Sequence, residues 1–182
     1  LASTLADLRT KGVKPKYIYT IPTLQNPTGT VMSMERRREI LRLSMEYQVP
    51  IFEDECYADL VFEGDWEHAI RSLDQSNHVL HIGSFSKSLA PGVRLGYVVA
   101  PKDVMSQLLP SKIDVGTNMI TAMMVADFLQ GHYEEHNYTL RAGLRRKRDA
   151  VVAALGEHFG PVVDFYQPRG GMFIWVRFPE SV

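Results

Sequence analysis

One cysteine, Cys56, is all that this chain of 182 residues contains. It can form no internal disulfide, and its cysteine usage is that of a reducing compartment. An excess of charge is missing too: the formal net charge is −1 at pH 7, which gives no general attraction to nucleic acid or to an anionic membrane. No apolar run approaches the roughly 20 residues a membrane-spanning helix needs. The strongest, residues 119–126, is interrupted by Thr121 and followed at once by Asp127. Internal repeats and low-complexity segments are absent, and the first residues do not read as a signal peptide. The expectation is a cytoplasmic protein with no nucleic-acid or membrane partner.

What is present is ordinary globular material. Apolar residues make up 45% of the chain and charged residues 23%, enough for one sizeable core, or one domain and part of another. The chain opens on Leu1 inside a helical pattern and stops just after a strand-like run, so the expectation is an internal excerpt of a larger protein. β-branched and aromatic residues predict strands over 16–22, 49–52, 78–83 and 95–100, with weaker ones at 162–166 and 172–178. Helical periodicity predicts helices from Ser33, a suitable N-cap, to Tyr47, then over 102–109, 120–130 and 133–159. Strands separated by helices or long crossovers predict an α/β fold with a mainly parallel sheet.

The most informative stretch is Gly83-Ser84-Phe85-Ser86-Lys87-Ser88-Leu89-Ala90-Pro91-Gly92-Val93-Arg94-Leu95-Gly96-Tyr97. A lysine held on a turn at a strand end can serve as a covalent nucleophile. Hydroxyls and an arginine on the same turn can hold an anion such as phosphate. In parallel sheets ligands bind beyond the carboxyl ends of the strands. That rule brings Asn26, which follows the first strand, and Asp54, which ends the second, to Ser84 and Lys87. Each has an ordinary reading alone: a turn former, a capping acid, a half-buried phenol for Tyr57, a solvated lysine. Their joint appearance in this order is hard to ascribe to packing.

Four runs carry a resemblance: Gln25-Asn26-Pro27-Thr28-Gly29, Asp54-Glu55-Cys56-Tyr57, Ser84-Phe85-Ser86-Lys87 and Pro91-Gly92-Val93-Arg94-Leu95-Gly96-Tyr97. Together they resemble the class I/II aminotransferases, pyridoxal-phosphate enzymes of fold type I, and most of all the aminoadipate/kynurenine-type branch. Pro168-Arg169-Gly170-Gly171-Met172-Phe173-Ile174-Trp175 extends the resemblance over nearly the whole chain. It implies a cofactor-binding large domain over 1–135, incomplete at its N-terminus, and the start of a small α+β domain over 136–182. It implies pyridoxal 5'-phosphate as cofactor, an amino acid and a 2-oxo acid as substrates, and a homodimer at full length. Lys87 would form the internal aldimine and shuttle the proton. Asp54 would pair with the pyridinium nitrogen. Tyr57 and Asn26 would hydrogen-bond the ring oxygen. Ser84, Ser86 and Arg94 would hold the phosphate. The family's Gly-rich phosphate loop and ring-stacking aromatic belong upstream of Leu1, and its carboxylate-binding arginine downstream of Val182. The chain alone is therefore expected to be a poor catalyst.

Other readings remain beside this one. A β-lyase of the same fold would keep Lys87, Asp54 and Tyr57. The effector domain of an aminotransferase-like transcription regulator would keep the cofactor lysine. Ser84-Phe85-Ser86-Lys87 also fits S-x-x-K, but the S-D-N and K-T-G partners of that class do not occur. His132-Tyr133-Glu134-Glu135-His136 matches H-x-x-E-H, a short pattern better explained by a solvated, charged helix, and no metal is expected. The run Arg145-Arg146-Lys147-Arg148 is likewise expected to be a solvated face. Cys56 is expected to be a half-buried structural thiol. Trp66, Trp175 and the methionines at 119, 123 and 124 are expected in core or interface packing.

Overall fold

A computed structural model describes residues 1–113 and 116–180. The final two positions of the expected second domain lie outside the described residues. Four strands form the main sheet in chain order: β1 (Ile18–Thr20), β2 (Ile51–Asp54), β3 (Val79–Ser84) and β4 (Gly96–Val99). The first three run parallel, with Ile18 opposite Ile51 and Ile51 opposite Val79; β4 returns antiparallel, with Ser84 opposite Gly96. The mainly parallel α/β expectation holds.

Helix α1 (Ala2–Thr10) precedes the sheet, and α2 (Met34–Tyr47) forms the crossover between β1 and β2. The Ser33 side chain accepts from the Arg36 N–H, and Gln48 closes α2 in the left-handed conformation at φ 54°. Such caps satisfy amides and carbonyls that a helix end leaves orphaned. Ile40 and Leu41 of α2 pack on Ile51, Val79 and Ile70, the last from the single-turn helix α3 (Ile70–Leu73). This is the first core.

A second core lies at the carboxyl ends of the strands. Leu24, Tyr57, Leu60 and Val61 meet there, with Leu140, Leu144 and Phe173 packed against them. Here α4 (Phe85–Ser88) follows β3 without a break, and α5 (Lys102–Leu108) and α6 (Met119–Gly131) come later in the chain. The 27-residue α7 (Tyr133–Phe159) supplies Leu140 and Leu144. A two-stranded antiparallel pair, β5 (Asp164–Phe165) and β6 (Val176–Arg177), completes the described elements.

Two predicted strands are shorter than expected, for physical reasons. Pro22 carries no N–H for a ladder, and its carbonyl instead accepts from Met32, so β1 stops at Thr20. Residues 172–175 do not pair as a strand: the Phe173 ring sets its edge on Tyr57 at 5.5 Å. The preceding turn is stitched to residues 60–63 by Gly171 N–H to Leu60 O and by Phe62 and Glu63 N–H to Arg169 O.

Candidate active site

Three turns at the carboxyl ends of β1, β2 and β3 bring the sequence-selected residues to one region. The first is Gln25 to Thr30. Its ends close through Gln25 N–H to Thr30 O at 2.9 Å and Gly29 N–H to Gln25 O at 2.6 Å, and the Asn26–Pro27 peptide is cis. Gly29 sits at φ +69°, and a Cβ there would lie 2.9 Å from Pro168 Cβ and 3.0 Å from Phe173 O. Only glycine fits that close approach. The turn presents an exposed Asn26, whose Nδ2 lies 3.4 Å from the hydroxyl of the buried Tyr57.

Strand alternation places Asp54 on the face opposite Glu53 and Glu55. Asp54 is half-buried and already oriented: its Oδ2 accepts from Tyr19 OH at 2.7 Å and its Oδ1 from the Cys56 N–H at 3.2 Å. Tyr19 was not singled out in the sequence. The parallel register puts it opposite Phe52, and its ring lies 6.5 Å from that of Phe52, two residues before Asp54. Alternation within Tyr17-Ile18-Tyr19 was the available signal. Partial burial and then the Asp54 carboxylate push the Tyr19 phenol up to about 12, so it stays a donor at neutral pH.

Lys87 projects from α4, a single turn, and is exposed. Among the described residues its amine makes no hydrogen bond or ion pair. Its charge acts on the Cys56 thiol, which is pushed up to about 12 by burial and then by a hydrogen bond to Asp54, with Lys87 opposing. Cys56 is therefore a half-buried thiol, not a thiolate. Lysine amine and Asp54 carboxylate both bear on this one side chain.

The third turn carries the proposed anion donors. Ser84 Oγ accepts from the Ser86 N–H at 3.2 Å, and Arg94 Nη1 lies 3.4 Å from Ser86 Oγ and 3.3 Å from Pro91 O. Arg94 itself sits at φ 48°, an uncommon backbone for a non-glycine residue. It ends the short 3₁₀ turn Pro91–Val93 and starts the return into β4, and Phe85 N–H to Leu95 O ties that return to α4. A cavity of about 590 Å³ opens beside Ser84, Ser86 and Arg94, walled by Ile82, Leu95 and Met105. Asn26, Asp54, Tyr57 and Lys87 are not among its lining residues.

Some expectations outside these turns change. The arginine run is not simply solvated: Arg148 is buried, forks onto Glu63 with both contacts at 2.6 Å, and donates to Pro168 O at 2.7 Å. Arg141 lies over Trp66, which is 51% exposed and not a core residue. No group of three or more His, Cys, Asp or Glu among the described residues is placed to hold a metal. No helix among them is long and apolar enough to cross a membrane.

Comparison with known proteins adds the following. A family model described as aminotransferase class I and II matches residues 1–182. The uncharacterized HTH-type transcriptional regulator YisV of Bacillus subtilis is 40% identical over 168 residues, which is 91% of this chain and 35% of that protein. Aromatic-amino-acid aminotransferase 1 of Thermococcus litoralis is 35% identical over 185 residues, 100% of this chain and 44% of that protein. The crystal structure of Pyrococcus horikoshii kynurenine aminotransferase superposes with a TM-score of 0.93 at 36% identity, covering 99% of this chain and 45% of that one. The chain spans less than half the length of each of these three.

Proposed function

Because this chain belongs to the class I and II aminotransferases, of fold type I and using pyridoxal 5'-phosphate, we propose that it holds that cofactor on Lys87. In this reading the full protein moves an amino group between an amino acid and a 2-oxo acid. The observation that carries the reading is geometric: Lys87 stands exposed and unpaired, among the described residues, on the turn after β3, and Asp54 at the end of neighbouring β2 is already oriented by Tyr19 OH and the Cys56 N–H. An amine and a fixed carboxylate at adjacent strand ends are what a charged pyridine ring bearing an aldehyde needs.

The residues present fit that group. When bound, the cofactor supplies an aldehyde that takes up an amine and a ring that holds the electron pair left at the substrate Cα. Asp54, fixed by Tyr19 and the Cys56 amide, would hold the proton on the ring nitrogen, because a nearby carboxylate favours the cationic form. Tyr57 and Asn26, already within 3.4 Å of each other, would donate to the ring oxygen. Ser84, Ser86 and Arg94 would hold the phosphate, the guanidinium as a forked donor. Lys87 Nζ would hold the cofactor and move the proton at Cα. Residues 1–135 would then be the cofactor-binding part and 136–182 the start of a smaller domain, in a cytoplasmic homodimer at full length.

Borohydride reduction of the cofactor-loaded protein, followed by peptide mapping, is the direct test. The expected result is a single pyridoxyl adduct, on Lys87, and its loss in Lys87→Ala. An adduct on another lysine, or none, would sink the reading.

A second reading is supported by the 40% identity to a protein named as an HTH-type regulator. There the same site would bind cofactor as an effector, and the whole protein would bind DNA. Mixing the cofactor-loaded protein with amino acids separates the two. Stoichiometric oxo-acid release favours the enzyme, whereas DNA retention without amino-group transfer favours the regulator.

A further inference from the structure

Lys87 has no side-chain partner among the described residues, so the place of its amine depends on the turn that carries it. That turn, α4, has four residues, too short to be stable as an isolated helix. Something outside it must hold it. The residue after Lys87 shows what does: Ser88 is 1% exposed, and its hydroxyl and its carbonyl are both taken by the first turn of α7. Ser88 Oγ lies 2.9 Å from Tyr133 OH, and the Ser88 carbonyl accepts from His136 Nε2 at 2.9 Å. Tyr133 and His136 are three apart and share a helix face.

The chain of contacts does not end there. Tyr133 OH donates to Asp59 Oδ2 at 2.6 Å. A phenol has one proton to give, so Tyr133 gives it to Asp59 and takes the Ser88 hydroxyl proton. Burial and then Asp59 push this phenol up to about 12, so the arrangement persists through neutral pH. Asp59 lies on the 3₁₀ turn Ala58–Leu60, which begins directly after Tyr57. One phenol thereby links the turn next to Tyr57 with the turn that carries Lys87. His136 is held in its turn by the edge of Phe128 at 5.6 Å.

We infer that Tyr133, with Asp59, Ser88 and His136, is a positioning residue that sets Lys87 against Tyr57 and Asp54. None of the four needs to touch the cofactor. The inference rests on Lys87 being the residue that carries it.

The test separates capture from binding in the cofactor-loaded protein. Covalent capture of pyridoxal phosphate is followed by its visible absorption and by timed borohydride trapping. Non-covalent affinity is measured by fluorescence in a Lys87→Ala background. Tyr133→Phe is expected to slow capture on the order of tenfold, the size of one lost charge-assisted hydrogen bond. It should leave the non-covalent affinity within about twofold. Ser88→Ala should do the same, and the double variant should be no slower than either single one, because the two share one link. Capture at the parent rate in a folded Tyr133→Phe protein overturns the inference. So does an affinity loss equal to the capture loss. If Tyr133→Phe does not fold, Ser88→Ala decides by the same two measurements. No trapped adduct at Lys87 in the parent protein refutes the functional reading instead.

Discussion

Arg37 has no exposed surface, yet its side chain is a guanidinium with five N–H donors to satisfy. The fold tolerates it because all five N–H groups are used: Nε on Met32 O, Nη1 on Glu55 and His68 O, Nη2 on Pro22 O and Thr23. Nothing in its run of three arginines distinguishes this one, since the buried partners come from four separate segments. Arg37→Met should cost about 3–5 kcal/mol in a urea titration, because it leaves Glu55 buried without its cation. Glu55 has the opposite problem. Its Oε2 is buried with no partner, and burial lifts the carboxyl from 4.5 to about 7 against the pull of Thr23 and Arg37. The folded state therefore keeps a proton that the unfolded chain releases. Stability from this group is complete below about pH 4.5 and is lost as pH rises through 7. Glu55→Gln should flatten that slope between pH 5 and 8; an unchanged slope would show that other groups set it. At the site, Tyr19→Phe frees Asp54 Oδ2 and should weaken cofactor binding roughly tenfold or more, the worth of one hydrogen bond to a charge, with thermal stability preserved.

At the scale of elements, the strands and long helices were legible because their signals are local. Ser33 as cap, the apolar stripe of α2 and the β-branched runs of β2 and β3 lie within single segments. The region between Tyr57 and His78 was not legible. Its helix α3 starts with no cap of its own; Glu53, on β2, accepts from the Ile70 N–H at 2.5 Å and the Arg71 N–H at 3.0 Å. A cap supplied from 17 residues away leaves no local pattern. α7 makes the same point, since Arg148 looks like its neighbours in sequence but turns inward to Glu63 and Pro168. Arg148→Met should destabilise by about 1–2 kcal/mol in the same titration, because Pro168 O loses its donor while Glu63, 31% exposed, keeps Arg145 at 3.3 Å. At Gly170, paired with Val61, a Cβ would come within 2.5 Å of Leu60 O. Gly170→Ala should therefore lower the thermal midpoint by several degrees, about what 1–3 kcal/mol of backbone clash produces.

At the scale of the whole molecule, the α6 face stands out. Met119, Ile120, Met123 and Met124 are each 65–73% exposed, too much flexible apolar surface for a helix that faces only water. This supports the homodimer in the proposed function. Met123→Lys with Met124→Lys should raise the dissociation constant at least tenfold in sedimentation velocity, since two buried methionines contribute more than the 1.4 kcal/mol that tenfold requires. An unaffected constant would place the contact elsewhere.

The sequence by itself determined the fold class and the turns. Glycine at a left-handed position, proline before a reversal, and apolar runs of strand length are constraints on a few adjacent residues. It also placed Asn26, Asp54, Ser84 and Lys87 at strand ends. Tertiary structure alone decided what those side chains meet: Tyr19 on Asp54, Asn26 near Tyr57, and Tyr133 and His136 on the residue after Lys87. Those contacts span up to 48 residues of chain, and spatial neighbours at that separation are set by the sheet register and by where the first turn of α7 packs against α4 and the Ala58–Leu60 turn.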